Sequence, residues 1–189
     1  MPAYSLVLKS IWSTYALSDP CLIFCSLFFT QAAHCVETPK YIGQYKSTPE
    51  DLAAIQLVIK KFQTAIKTND GKLLSTLVIS NSILFSSPLP PEAIKLTREK
   101  KDVNFNGMTP NGYEDFARSI QTSKNANEEK FYNLKVTQDG NVAWVQFDYE
   151  FVSNKKTYNY GIEVWQMFKS MDESWKIFSV VWSMNFLPE

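Results

Sequence analysis

The chain has 189 residues, 45% of them hydrophobic and 14% aromatic, with 19 basic and 19 acidic residues and a formal net charge of zero. That length suits one domain, or one domain behind a leader, with mass enough for a sizeable core. The charge balance argues against a nucleic-acid partner, which normally meets a basic excess, and the aromatic content excludes a mainly disordered chain.

Residues 1–36 carry only two charges, Lys9 and Asp19. Residues 21–29 are an unbroken apolar run, too short to span a bilayer as a helix. Small residues follow: Thr30 and Ala32 suit cleavage after Ala32, and Ala33 and Cys35 suit cleavage after Cys35. Residues 1–35 therefore read as a secretory signal peptide, implying a secreted or periplasmic protein with no stable membrane span after cleavage. The alternative is an amphipathic or buried N-terminal segment of a cytosolic protein. All three Cys and the only His lie at or before Cys35. The body from Val36 onward thus lacks Cys and His nucleophiles, the usual nitrogen and sulfur ligands of zinc, and disulfides. No metal or cofactor is expected, and acid–base work would fall to Asp, Glu, Tyr or Lys.

Residues 36–47 read as an exposed linker, and residues 48–187 as the domain. Thr48 can cap a helix with Pro49 at its first position and Glu50 and Asp51 at the positive end of the dipole. Leu52, Ile55, Ile59, Phe62 and Ile66 follow at steps of three and four and mark one apolar face. Asn69-Asp70-Gly71 ends this helix, and Asp70 can cap a short second one carrying Leu73, Leu74 and Leu77. Residues 83–85 predict a short strand. Residues 86–111, with Pro88, Pro90, Pro91 and a mixed charge run, read as a solvated loop, with a lid over a pocket as the functional alternative. Asn111-Gly112 leads into a third helix through Tyr113, Phe116, Ala117 and Ile120.

From Lys130 the pattern changes to period two. Asp139-Gly140, Asn154-Lys155 and Asp172-Glu173 divide four strands. Two-residue hairpins at all three place Val136 opposite Ala143, Tyr149 opposite Tyr160, and Gln166 opposite Ser179. One continuous inner face follows: Tyr132, Leu134, Val136, Ala143, Val145, Phe147, Tyr149, Phe151, Tyr158, Tyr160, Ile162, Val164, Gln166, Phe168, Trp175, Ile177, Ser179, Val181 and Ser183. The outer face holds Asp148, Glu150 and Glu163 with an apolar patch that includes Trp144, Trp165, Phe178 and Trp182. Such a patch needs covering by another element or a second subunit.

Helices followed by a long meander resemble the nuclear transport factor 2-like superfamily, whose branches include SnoaL-like cyclases and ketosteroid isomerases. Residues 161–165 and 174–183 resemble its final two strands, and residues 70–74 the start of its second helix. The resemblance covers roughly residues 48–186. It implies a cystatin-like α+β fold: a cone-shaped, curved antiparallel sheet wrapped around three N-terminal helices, enclosing an apolar pocket. It also implies a homodimer through the outer sheet face.

The expected pocket lining is Phe62, Phe85, Tyr149, Tyr160, Gln166 and Ser183. The expected subunit contact is Trp144, Trp165, Phe178 and Trp182. Gln166 opposite Ser179 can equally be a buried polar pair that satisfies itself. The predicted inner face holds no carboxylate, unlike ketosteroid isomerase, a system with a known Asp base. The leading expectation is therefore non-catalytic binding of a small apolar ligand, dimerisation, or both. The alternative is a cyclase, isomerase or dehydratase using a pocket Tyr and a carboxylate, with Asp102, Glu114, Asp115, Asp148, Glu150 and Glu163 to be located.

Overall fold

The computed structural model describes residues 37–109 and 112–188. The signal-peptide reading of residues 1–35 and the role of Asn111 in starting a helix lie outside the described residues. Four helices precede the main sheet: α1 (Pro49–Lys67), α2 (Gly71–Leu77), α3 (Pro91–Lys100) and α4 (Tyr113–Thr122). The strands are β1 (Leu84–Ser86), β2 (Asn127–Asp139), β3 (Val142–Ser153), β4 (Lys156–Lys169) and β5 (Trp175–Trp182). They form one curved, open sheet in the order β1-β5-β4-β3-β2. The architecture is the expected α+β one, with two corrections. The sheet is mixed, because β1 runs parallel to β5. A fourth helix, α3, occupies part of the stretch read as loop. It starts with Pro91 at its first turn, carries the Lys95–Glu99 pair, and buries no residue, as befits a charge-rich solvated face.

Helix α1 begins as its sequence dictates. Thr48 Oγ1 accepts from the Asp51 N–H at 3.0 Å, with Pro49 following. Ile55, Ile59, Phe62 and Ile66 are buried against the sheet, and each such side chain contributes roughly 1.5–3 kcal/mol. Asp51 pins the start of the helix to the sheet. Its carboxylate accepts from Gln138 Nε2 at 2.8 Å and Trp175 Nε1 at 3.0 Å, and pairs with Lys169 at 3.1 Å. These donors, Gln138 foremost, hold its pKa down at about 2. Asp70 caps α2 by accepting from the Leu73 N–H at 2.9 Å.

The hairpins exist where expected, but their registers differ. Asp139 pairs with Val142, so the first loop is Gly140-Asn141, with Gly140 at φ +56°. The second loop is Asn154-Lys155, both at positive φ, which is the type I′ signature. A register shift follows at once, between Phe151 and Val152. Tyr149 therefore faces Gly161 instead of Tyr160, and Phe147 faces Glu163 instead of Ile162. A one-residue shift sends every later side chain to the other face. Asn159, Gly161, Glu163, Trp165 and Met167 point inward, and Tyr158, Tyr160, Ile162 and Phe168 lie exposed. Further shifts lie between Tyr132 and Lys135, where Asn133 has φ +53°, and between Gln166 and Met167. The last brings Val180 and Trp182 inward after Trp175 and Ile177. The predicted pairs Val164–Val181 and Gln166–Ser179 do occur.

The core consists of the α1 face, Leu74 and Leu77 of α2, Ala117 and Ile120 of α4, and the inward residues of β3, β4 and β5. No helix among the described residues is long and apolar enough to cross a membrane.

Candidate functional site

Between α1, α4 and the inner sheet face lies a cavity of about 410 Å³. Phe62 of α1, Phe116 of α4, Phe85 of β1 and Trp182 of β5 form its aromatic wall. Their rings touch in sequence. Centroid separations are 6.0 Å for Phe62–Phe116, 4.7 Å for Phe116–Phe85 and 4.8 Å for Phe85–Trp182. Strand β2 adds Asn127 and Glu129, β3 adds Tyr149 and Phe151, and β4 adds Asn159 and Glu163.

Two carboxyl groups therefore line an aromatic cavity. Glu129 is 7% exposed and Glu163 4%. Glu129 pairs with Phe151 on β3, and Glu163 with Phe147. Tyr149 lies between those two positions on the same strand, so the carboxyls flank it diagonally. Burial is the chief influence on both. It raises Glu163 to about 7, against the opposing hydrogen bond from Trp165 Nε1. Glu129 is raised well above the usual range by burial and then by the Glu163 charge. Two carboxylates in one desolvated site cannot both ionise cheaply, so Glu129 keeps its proton where Glu163 has lost its own. Tyr149 is also raised, by burial and by both glutamates. Its hydroxyl donates to the Ser183 carbonyl at 2.8 Å. Asn159 is 8% exposed, and its Oδ1 has no partner among the described residues.

The structure brings Phe62, Phe85 and Tyr149 together at this cavity, with Phe116, Glu129, Asn159, Glu163 and Trp182. Tyr160 and Ser183 lie instead in a shallow depression on the outer face, beside Tyr132, Asp148 and Glu150. Gln166 accepts from Ser179 Oγ at 2.8 Å, the self-satisfied pair, and does not line the cavity. The predicted subunit contact divides likewise. Trp144 and Phe178 are on the outer face, at 43% and 36% exposure. Trp165 is fully buried in the core, and Trp182 lines the cavity. One cause explains these corrections: the shifts at Phe151/Val152 and Gln166/Met167 exchange the faces.

Of the carboxylates to be located, Glu163 alone is inside. Asp102 is exposed and accepts from the Asn104 N–H. Glu114 and Asp115 pair with Arg118 on the surface of α4. Asp148 accepts from Asn133 on the outer face. Glu150 is bound there by Thr157, Lys130 and Tyr132, with Thr157 chiefly responsible for its lowered pKa. Sequence reasoning missed Glu129 because it began the strand at Lys130. Alternation carried back from Tyr132 and Leu134 would in any case have left Glu129 outside; the shift between Tyr132 and Lys135, at Asn133, brings Asn127, Glu129 and Phe131 to the inner face. One available signal was bulk: Trp165 and Met167 are the larger apolar pair and belong inside. Among the described residues, no group of three or more His, Cys, Asp or Glu could hold a metal ion.

No protein-family model and no curated protein matches this chain. Solved structures do. A cystatin-like-fold protein of unknown function from Nostoc punctiforme aligns with TM-score 0.53 at 12% identity, over 74% of this chain and 95% of that one. An NTF2-like protein of unknown function from Pseudomonas putida aligns with TM-score 0.55 at 10% identity, over 76% and 93%. A candidate dehydratase of the NTF2-like family from Streptomyces avermitilis aligns with TM-score 0.52 at 16% identity, over 74% and 100%. Likeness at this identity establishes fold and leaves activity to be argued from the cavity.

Proposed function

From the nuclear transport factor 2-like, cystatin-like α+β fold that this chain has, we propose that it binds a small organic ligand in the inner cavity and moves a proton on it. One observation carries the reading: Glu129 and Glu163 both line an aromatic cavity in which burial raises their pKa values. A base poised near neutral pH is what proton abstraction from carbon needs. Glu163, ionised above about pH 7, takes the proton. Glu129, held neutral, donates a hydrogen bond to the oxygen where charge develops. Return of the proton to another carbon is an isomerisation, and departure of a hydroxyl with the Glu129 proton is a dehydration. The fold neighbour described as a candidate dehydratase is compatible with the second outcome. Tyr149, between the two glutamates on β3, keeps its proton and donates it in a hydrogen bond to the Ser183 carbonyl.

The test uses 5-nitrobenzisoxazole, whose ring opens when a base removes the proton on its C–H carbon and the N–O bond breaks. The full chain is expected to accelerate this opening, with a rate that rises through about pH 7. Glu163→Gln is expected to lower it about 100-fold, the usual contribution of a positioned base. Equal rates for the two proteins would remove the base assignment.

A second part of the proposal concerns the outer sheet face. Trp144, Ile162, Phe168, Phe178 and Val181 are all more than a third exposed there, supporting pairing with a second copy of the chain. Export to the periplasm or the exterior belongs to the same reading and is supported by the apolar run and small residues of the leader.

A further inference from the structure

We infer that the occupant of the inner cavity is a protonated organic amine, an ammonium group on a largely apolar body. The inference deepens the reading of that cavity as a small-molecule site and rests on it.

The first observation is that buried acceptors at the cavity lack donors from the chain itself. Trp165 Nε1 donates to Glu163, the Tyr149 hydroxyl to the Ser183 carbonyl, and Asn127 Nδ2 to Ser123 Oγ. Asn159 Oδ1 is buried with no partner among the described residues, and the influences on the Glu129 carboxyl are burial and Glu163, with no donor among them. An occupant that satisfies Asn159 Oδ1 and an ionised carboxyl donates to them. An ammonium group has three donors and no acceptor.

Charge points the same way. The lining contains two carboxyls and no Lys, Arg or His. Several carboxylates elsewhere pair with the chain's own cations: Asp51 with Lys169, Glu150 with Lys130, Glu128 with Lys67, and Glu114 and Asp115 with Arg118. Glu129 and Glu163 are the pair it buries without one. With Glu163 ionised above about pH 7 and Glu129 protonated, they carry one negative charge, which matches a single ammonium. An unpaired buried charge is costly, and a bound cation offsets that cost.

The wall is the third observation. Phe62, Phe116, Phe85 and Trp182 are in continuous ring contact and all line the cavity. Aromatic faces attract cations through their quadrupole, and the attraction grows where water is excluded. An anionic ligand would meet repulsion from the ionised carboxyl and from the ring faces.

The test is calorimetric titration of the full chain with 2-phenylethylammonium, its neutral analogue 2-phenylethanol, and phenylacetate. The groups facing Glu163 fix the pH dependence. Glu129 comes from β2, Tyr149 from β3 and Tyr158 from β4, while α1, α4, β1 and β5 present Phe62, Phe116, Ser119, Ile120, Phe85 and Trp182, none of which titrates. The amine stays protonated from pH 6 to pH 8, so any change in its affinity belongs to the protein. We expect the ammonium to bind at least about tenfold more tightly than the alcohol at pH 8, the effect of one retained charge pair. Phenylacetate should not bind. Ammonium affinity should fall about tenfold from pH 8 to pH 6, as a carboxyl titrating at about 7 takes up its proton. Glu163→Gln, checked for an unchanged far-ultraviolet spectrum, should abolish the preference for the cation at pH 8, whereas Glu129→Gln, which replaces the carboxyl that keeps its proton, should retain it. Equal or tighter binding of the alcohol, or no binding of the ammonium at pH 8, overturns the inference. The two readings fail separately. If ring opening of 5-nitrobenzisoxazole depends on Glu163 but the ammonium does not inhibit it, only the cation falls. If the ammonium binds and no ring opening occurs, only the proton-transfer reading falls.

Discussion

Glu163 and Asp51 are acidic residues that the fold treats in opposite ways. Asp51 receives donors from Gln138, Trp175 and Lys169, so its ionised form is favoured and its pKa falls to about 2. The stability it adds is present above the ordinary Asp range and is lost as pH falls towards 2. Glu163 is buried with one donor, Trp165, and its pKa rises to about 7. Between the ordinary value of 4.5 and about 7, the folded chain holds a proton that the unfolded chain releases. Stability is therefore lost as pH rises through that window, and the full penalty applies above it. Glu163→Gln removes the ionisation while keeping an acceptor for Trp165. It is expected to raise the free energy of unfolding by about 1–3 kcal/mol at pH 8 and to change little at pH 4. Urea unfolding at the two pH values measures this. A variant no more stable than the parent at pH 8 would mean that the carboxyl is not held at a cost. A cost retained at a cavity wall is what a functional residue shows when stability and activity compete.

At the scale of elements, the end of β5 is fitted to β4 by a missing side chain. A Cβ on Gly161 would press into the Ser183 carbonyl oxygen and hydroxyl. That close approach lets Ser183 Oγ accept from the Ile162 N–H at 3.0 Å, and Asn185 pair with Tyr160. It also brings the Ser183 carbonyl to the Tyr149 hydroxyl. Gly161→Ala is expected to displace residues 183–185, destabilise the chain by about 1–3 kcal/mol, and speed hydrogen exchange at the Ser183 and Asn185 amides. Unchanged exchange there would mean that the neighbouring chain yields without cost. Much at this scale was legible beforehand. Thr48, Pro49 and the 3–4 spacing of Ile55, Ile59, Phe62 and Ile66 define α1, and Asp70 defines α2. The turn at Asn154-Lys155 defines the second hairpin. Strand register was not legible, because a bulge leaves no mark in a period-two pattern when both faces carry aromatics. Tyr158 and Tyr160 look as suitable for a core as Trp165 and Met167 until Phe151 and Val152 are seen to interrupt the count. The cavity was thus half foreseen. Phe62 and Tyr149 lie on the apolar face of α1 and the inner face of β3, both as the spacing indicates, and Phe85 lies on the short strand β1. Glu163, Trp182 and Glu129 all lie across a register shift from the positions that fix the inner face.

Over the whole molecule, the same sheet serves two purposes. Its inner face packs on α1 and encloses the cavity, while its outer face leaves Trp144, Phe168 and Phe178 in view of solvent. Pairing of two copies across that face predicts a dimer in sedimentation velocity. Trp144→Glu should convert it to a monomer with the inner cavity intact, since Trp144 does not line it. A wild-type monomer would leave the outer aromatics to a different partner.

The bulge after the second turn has a consequence for how such a molecule can vary. Beyond Phe151 and Val152, whether a β4 side chain meets the cavity or the solvent depends on how many residues precede it. A substitution alters one position on one side. Loss of a single residue at the bulge would turn the strand inside out, carrying Glu163 and Trp165 to the exterior and Tyr160 and Ile162 to the interior. The acidic site is thus encoded as much by spacing as by the identity of its residues.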